Sequence, residues 1–122
     1  MEIFQETELG EFMTRDEFLT FQKETFDKLH TITKAKNADY TGDESNAFTN
    51  FERVEHLGIT SAEQGFLVRM TDKMSRISTF VKQGQLQVKD ESVKDTLFDL
   101  ANYSILLAGY IESKKRKSEK EG

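Results

Sequence analysis

The stretch that decides the fold is SAEQGFLVRMTDKMSRISTFVKQG, residues 61–84. Its start offers two helix caps, Ser61 with Gln64 or, one residue earlier, Thr60 with Glu63, and its end is a glycine suited to stopping a helix. Between these signals, apolar residues recur three and four positions apart. This spacing predicts an amphipathic helix over about 61–82 whose packing seam consists of Leu67, Met70, Met74, Ile77 and Val81.

Two further helices are predicted before this one. Thr14 and Glu17 have the spacing of a capping box, and the apolar stripe of a helix over about 15–36 follows them: Phe18, Phe21, Phe26, Leu29 and Ile32. Residues 37–49 are rich in turn formers, so we expect a loop there. A short helix should follow, because apolar residues then recur every three positions before Gly58: Phe51, Val54 and Leu57.

The last long helix is predicted from about residue 90, where Asp90, Glu91 and Ser92 suit a positive helix N-terminus, to about residue 113. It carries two apolar stripes: Val93, Leu97, Leu100, Ser104, Leu107 and Ile111, and then Phe98, Ala101, Ile105 and Ala108. A helix that is apolar on two sides is buried on two sides, and in a chain this short the second neighbour would be another copy. The sequence thus predicts one all-α domain over residues 1–122. It would have three main helices plus a short one and form a helical homodimer, with further assembly of dimers left open.

The composition narrows the function classes. The chain has 122 residues, no Cys and two His, so it forms no disulfide or thiolate site, and a histidine-rich metal site is not expected. A net charge of -5 argues against direct nucleic-acid binding. No segment approaches the length of a membrane span, so we expect a cytoplasmic protein. The basic run 114–117 lies in a charged tail, residues 114–122, which we interpret as a solvated helix end.

Two polar strips run along the second and third long helices. One strip comprises Asp95, Asp99 and Asn102, bordered by Tyr103; the other comprises Arg69, Asp72, Lys73 and Arg76. If the two strips face each other, they line a cleft in which guanidinium groups suit phosphate oxygens. The three aspartates could instead hold Mg²⁺ together with substrate phosphates. A third interpretation is an internal ion-pair network that only fixes the helix register.

The stretch 36–53 adds rings, amides and cations of the kind that a nucleobase site needs, although its Asn residues also suit turns and Phe48 and Phe51 also suit a core. In the binding hypothesis the cations of 69–76 hold a diphosphate, helped by Lys36 or Arg53, and a ring stacks on the base. The candidate ligand-binding residues are therefore Lys36, Tyr40, Phe48, Arg53, Arg69, Asp72, Lys73, Arg76, Asp95, Asp99, Asn102 and Tyr103.

Four ordered motifs carry a family resemblance: KNADYTG at 36–42, Phe-x-Asn-Phe at 48–51, EQGFLVRM-x-DK-x-x-R at 63–76 and DE-x-x-x-DT-x-x-DLANY at 90–103. Over roughly residues 30–110 the chain resembles the phage-associated nucleotide modification associated domain 1 family. That family is similar in layout to the all-α nucleoside-triphosphate pyrophosphohydrolases of the MazG and dimeric dUTPase kind. Those enzymes bind Mg²⁺ through Glu-x-x-Glu on one helix and Glu-x-x-Asp on the next.

This sequence departs from the hydrolase pattern at half of the acidic positions. Asp72 and Asp99 match such positions, but Arg76 stands four residues after Asp72 and Thr96 stands three before Asp99. Replacing an acid by arginine favours direct phosphate binding over metal-dependent hydrolysis. The resemblance therefore implies a protein that is not an enzyme, with no catalytic residue, no metal ligand and no cofactor.

The decayed metal pattern and the chain length resemble the anti-Thoeris sponge proteins of phages. Such proteins bind cyclic ADP-ribose isomers made by TIR-domain enzymes, without cleaving them, in pockets at a homodimer interface. The resemblance implies a phage anti-defence protein that sequesters such a signal, with cyclic oligonucleotides as a further ligand class. The alternative is a Mg²⁺-dependent nucleotide pyrophosphohydrolase or a phage nucleotide-modification accessory enzyme.

Overall fold

The computed structural model describes residues 12–41, 46–84 and 92–122, except for the side chains of 37–41. The described residues form four helices and no strand: α1 (Arg15–Thr41), α2 (Thr49–His56), α3 (Ala62–Gln83) and α4 (Val93–Glu121). The predicted all-α class is confirmed. By packing, the chain divides into two compact units, residues 1–35 and 36–122, and α1 crosses the division. None of the described helices combines the length and the apolar character that a membrane span requires.

The first unit contains most of α1. The predicted capping box is present: the Glu17 N–H donates to Thr14 Oγ1 at 3.1 Å, and the Thr14 N–H donates to Glu17 Oε1 at 2.8 Å. The helix continues to Thr41, five residues beyond the predicted end. The predicted loop over 37–49 was therefore wrong for 37–41, because this chain has no proline and the first glycine after residue 36 is Gly42. Residues 42–45 lie outside the described residues.

In the second unit, side-chain hydrogen bonds hold both ends of α2. The Asn46 Oδ1 accepts from the Phe48 N–H at 2.8 Å, and its Nδ2 donates to Glu52 Oε1 at 2.7 Å, so the side chain organises the turn before the helix. At the other end, the Glu55 carboxylate accepts from the Ala62 N–H at 2.7 Å. A residue of α2 thus satisfies one of the free amides at the start of α3 and joins the two helices.

The predicted start and stop of α3 are both present. The Ser61 Oγ accepts from the Gln64 N–H at 3.1 Å, which selects the Ser61 cap over the Thr60 alternative. At the C-terminus, Gly84 has a φ of 79°, the left-handed conformation that glycine adopts without a Cβ penalty. α4 runs antiparallel to α3, since the pairs that join them place Glu63 against Lys114 and Lys73 against Asp99.

Aromatic rings form the core of this unit. Phe66 is fully buried and stacks on Phe51 with a centroid distance of 3.7 Å and an interplanar angle of 10°. Phe48 meets Tyr110 edge to face at 5.5 Å. Such pairs contribute about 0.5–1.5 kcal/mol beyond their buried area. The core therefore lies where α2 crosses the start of α3 and the middle of α4: Ala62, Phe66 and Tyr110, with Phe48, Phe51, Leu106 and Leu107 packed against them.

The predicted packing seam of α3 is not its buried face. Leu67, Met74 and Val81 are 52%, 52% and 75% exposed, whereas Phe66 is fully buried. The physical reason is Gly65, where a Cβ would lie 3.3 Å from the Val54 methyl; its small size lets α2 approach this side of α3.

Within one chain, both predicted apolar stripes of α4 are partly exposed, and the second copy that would cover one of them stays a prediction. Thr96 and Tyr110 are buried there, while Leu97, Ile105 and Ile111 remain 45–60% exposed. The helix begins at the predicted Ser92 cap, whose Oγ accepts from the Asp95 N–H at 3.0 Å. The neighbouring signals at 90 and 91 lie outside the described residues.

The charged tail is helical as far as Glu121, eight residues beyond the predicted end of α4. Lys, Arg and Glu are strong helix formers, and Arg116 pairs with Glu112 one turn earlier at 2.9 Å. Residues 111–122 are exposed in the single chain.

Candidate functional site

The two polar strips predicted from the sequence meet in part across the α3–α4 interface. Lys73 Nζ lies 3.2 Å from Asp99 Oδ2, and Arg69 Nη1 donates to the Tyr103 hydroxyl oxygen at 3.2 Å. Both contacts bridge the helices, and they lie one turn apart on each helix. The structure therefore brings four of the twelve candidate residues together in two direct cross-helix contacts.

The two ion pairs of these strips differ in burial. The Lys73 side chain is only 15% exposed and that of Asp99 is 37% exposed, so their ion pair lies partly out of water. Arg76 and Asp72 form a pair within α3 at 3.6 Å, with side chains 40% and 59% exposed. Exposed pairs of this second kind contribute about 0–1 kcal/mol and exchange partners readily. The pair at Lys73 is thus the fixed element, and Arg76 lies on the accessible side.

Aromatic rings border the same contacts. The Tyr103 ring meets Phe51 edge to face at 6.3 Å, so the hydroxyl that accepts from Arg69 is held by a ring anchored on the core. Phe51 is itself stacked on Phe66. This chain of contacts positions Arg69 relative to α2 and α4.

The remaining strip residues lie beside these contacts on α4. Asn102 is half-buried, and Asp95 is exposed in the first turn, where its backbone N–H is used by the Ser92 cap. Asp95, Asp99 and Asn102 share one side of the helix by their spacing of four and three. Of the ion-pair network that the sequence left open, the described strip residues form one pair between the helices, Lys73–Asp99.

The candidates from the stretch 36–53 are placed differently. Phe48 packs in the core, where its ring lies 5.5 Å from that of Tyr110 and 3.5 Å from a Cβ built at Gly109. Lys36 and Arg53 are exposed, the first on α1 and the second on α2. Tyr40 belongs to α1, but its side chain lies outside the described residues. The packing of Phe48 matches the core-anchor interpretation that the sequence left open.

A further charged contact joins the start of α3 to α4. Lys114 Nζ donates to Glu63 Oε2 at 2.7 Å and lies 5.7 Å from the centre of the Tyr110 ring. This hydrogen bond lowers the pKa of Glu63 and raises that of Lys114. Burial, followed by the charge of Glu55, raises the pKa of Tyr110. Lys114 belongs to the basic run predicted as a solvated tail, but its spacing of four from Tyr110 places it on the packed side of α4.

Within 12–41, 46–84 and 92–122, no three Asp, Glu or His side chains converge as they would around an ion. The two aspartates that match acidic positions of the hydrolases, Asp72 and Asp99, each pair with a cation. A shallow cleft on α1, in the first unit, is lined by Met13, Asp16, Glu17, Thr20, Phe21 and Glu24, and its three carboxylates disfavour a phosphate ligand.

Comparison with known proteins gives one match. No curated protein and no solved structure matches the chain. The model of a protein family described as Nucleotide modification associated domain 1 matches residues 36–108, more than half of the chain. The match begins at the first residue of the second unit and spans every candidate ligand-binding residue. The chain therefore belongs to the Nucleotide modification associated domain 1 family.

Proposed function

We propose that this protein binds a phosphate-bearing nucleotide of the cyclic ADP-ribose type and holds it without cleaving it. Family membership gives it a nucleotide-related role. The proposed role is that of a phage anti-defence protein acting in the host cytoplasm, like the anti-Thoeris sponge proteins that the sequence resembles. It would act as a homo-oligomer, with neither a catalytic residue nor a cofactor.

The observation that carries the proposal is the line of three cations on α3. Arg69, Lys73 and Arg76 are spaced four and three residues apart, so their side chains leave the helix on one side. Within the described part of the chain, Arg69 donates to a neutral phenol oxygen, and Arg76 lies 3.6 Å from Asp72 with its side chain 40% exposed. A diphosphate offers Arg69 a charge-assisted and bidentate partner in place of the phenol oxygen, and Arg76 lies one to two turns along the same side of α3, where it can contact the same ligand.

The same contacts favour holding over hydrolysis. A Mg²⁺-dependent hydrolase of this layout would need Asp72 and Asp99 as metal ligands, with further carboxylates beside them. Asp99 instead pairs with the mostly buried Lys73, Arg76 lies one turn after Asp72, and Thr96 stands where the Glu-x-x-Asp pattern of the hydrolases has an acid. Bringing a divalent cation next to these two cations would cost Coulomb energy that the remaining carboxylates would have to offset.

The neighbouring groups suit the other parts of such a ligand. Tyr103 supplies a ring at the edge of the cation line, and Asn102 carries both a donor and an acceptor for a base edge. Asp95, exposed on the same side of α4, can accept from ribose hydroxyls. Cyclic oligonucleotides share the phosphate and base chemistry and form the second ligand class to be examined.

The test compares two arginines that are each paired with an acid four residues earlier on their own helix. Arg76 pairs with Asp72 in the cation line, and Arg116 pairs with Glu112 in the exposed tail. Isothermal titration with a TIR-produced cyclic ADP-ribose isomer should give tight binding by the wild type and by Arg116→Ala. Arg76→Ala should weaken binding by about 10- to 100-fold or more, because a charge-assisted hydrogen bond contributes about 1.5–3 kcal/mol.

Circular dichroism should show the same helix content in all three proteins, since Arg76 is on the surface of α3. Equal affinity of Arg76→Ala and wild type would remove Arg76 from the site. A panel of nucleoside triphosphates with Mg²⁺ tests the alternative: turnover that Asp99→Asn abolishes would establish a hydrolase and overturn the proposal.

A further inference from the structure

Two apolar lines with a period of seven run along the α3–α4 hairpin and remain partly exposed. On α3 the line is the seam named above, Leu67, Met70, Met74, Ile77 and Val81. On α4 it is Leu97, Leu100, Ser104, Leu107 and Ile111. Five of these residues, spaced seven or fourteen apart on their helices, are 45–75% exposed: Leu67, Met74, Val81, Leu97 and Ile111. None of the ten positions is charged, although charged residues make up 32% of the chain.

The two lines lie on the same side of the hairpin. Counted at about 100° per residue from the interhelical contacts at Lys73 and Tyr103, the residues of each line are rotated by about 40–120° in the same sense. Because the helices are antiparallel, the same sense of rotation on both brings the lines together into one face. We call this surface, made of the ten residues just named, the apolar face.

The cation line occupies the other side. Asp72 and Arg76 on α3, and Asp95 and Asn102 on α4, are rotated by about 60–100° in the opposite sense from the same contacts. α2 also packs on that side, through Val54 against Gly65. The apolar face is therefore separate from the candidate ligand site and is not covered by α2.

We propose that the apolar face is the docking surface for a second copy of this chain, which would complete an antiparallel four-helix bundle. The two lines have equal length, 67–81 and 97–111, and the same three-four spacing, so the face is suited to packing on itself about a two-fold axis. This inference does not depend on which ligand the protein binds.

The flat area of the apolar face is about half of the accessible surface that a standard dimer interface takes from each partner. Fourteen residue steps of about 1.5 Å give a length of about 21 Å, and two adjacent helices give a width of about 20 Å. The flat area is about 420 Å² before the relief of the side chains is added, and a standard interface takes about 800 Å² of accessible surface from each partner. Monomers rarely expose a contiguous apolar patch larger than a few hundred Å².

The experiment measures the mass of the full chain in solution by sedimentation equilibrium, for the wild type and two matched variants. Met74→Glu places a charge in the centre of the apolar face at a position already 52% exposed, so the folded chain tolerates it. Val68→Glu is the control, because Val68 is 67% exposed on the same helix but points away from the face. Circular dichroism verifies that both variants keep their helices.

The wild type and Val68→Glu should sediment at twice the chain mass of 14.1 kDa or an even multiple of it. Met74→Glu should dissociate, with a dimer dissociation constant raised by about 100-fold or more, because a two-fold axis repeats the charge in the same interface. A wild type that is monomeric at every concentration would overturn the proposal. So would a Met74→Glu variant whose mass and dissociation constant equal those of the wild type.

Discussion

The Lys73–Asp99 ion pair can be measured directly with a double-mutant cycle. The cycle uses Lys73→Met, which keeps most of the aliphatic stem, Asp99→Asn, which keeps the shape, and the double variant. Unfolding by urea at pH 7, followed by circular dichroism, gives the free energy of unfolding of each protein. The coupling energy of the cycle isolates the interaction between the two charges.

The expected magnitude follows from the separation and burial of the two groups. At 3.2 Å, Coulomb's law gives about 1 kcal/mol in bulk water and about 5 kcal/mol at an effective dielectric constant of 20. Partial desolvation of the two groups offsets much of the larger figure. Fully exposed pairs give about 0.2–1 kcal/mol. Because Lys73 is only 15% exposed and Asp99 is 37% exposed, we expect a coupling energy of about 1–2 kcal/mol.

The two single variants should also differ in their free energy of unfolding. Asp99→Asn leaves the mostly buried ammonium of Lys73 without its counter-charge, whereas Lys73→Met leaves a carboxylate that water reaches more easily. We therefore expect Asp99→Asn to lower the free energy of unfolding more than Lys73→Met does. The control cycle on Arg116 and Glu112, whose side chains are 75% and 50% exposed, should couple by less than about 0.5 kcal/mol. A coupling at Lys73–Asp99 no larger than in this control would refute the reasoning.

Three further predictions concern the frame around the site, each measured as unfolding against the wild type. Phe66→Ala should lower the free energy of unfolding by about 3–5 kcal/mol, since the ring is fully buried and stacked; a loss under about 1 kcal/mol would contradict the assigned core. Gly84→Ala should cost about 1 kcal/mol because of the φ of 79°, and an unchanged or raised stability would contradict the left-handed helix stop. Lys114→Met should destabilise the protein at pH 7. Because the folded-state pKa of Glu63 is lowered, its contribution is present above the usual value of 4.5 and is lost as the pH falls through the folded value, so the difference from the wild type should vanish in acid. A difference that persists at pH 2 would exclude this ion pair as its cause.

The helix boundaries that could be predicted from the sequence are the ones set by local hydrogen bonds. Thr14 with Glu17, Ser61 with Gln64, and Ser92 act through amides within three residues, and Gly84 acts through its own backbone. These signals need no knowledge of the rest of the fold. α1 and α4 extend beyond their predicted ends. Polar residues are weak helix stops, whereas glycine and proline are strong ones.

The choice of the buried helix face could not be made from periodicity. α3 and α4 each carry more than one apolar or aromatic line, and a period of 3.6 fits several of them equally well. The buried face is decided by steric fit. Gly65 lies beside Val54 and Gly109 lies beside Phe48, so the two glycines allow the α2 region to approach. The glycines inside α3 and α4 were the available signal.

The candidate site was predicted as two strips, but not as pairs of residues. Spacing alone placed Lys73 and the two arginines on one side of α3 and Asp99 on one side of α4. The partner of Asp99 depends on the axial register of the two helices, which is fixed at a distance by the packing of Phe66 and Tyr110. A shift of one turn would have paired Asp99 with a different cation, and the sequence contains no local signal for that shift.

The most direct test of the central claim is recovery of the bound ligand. The full chain is incubated with a TIR-produced cyclic ADP-ribose isomer and Mg²⁺, separated from free ligand by filtration, and denatured by heat, and the released material is identified by mass spectrometry. The account predicts intact cyclic nucleotide in the protein fraction, at a yield that Arg76→Ala reduces and Arg116→Ala does not. A cleaved product would mean that the carboxylates support hydrolysis, and ligand found only in the filtrate would mean that the cation line on α3 does not bind this class of nucleotide.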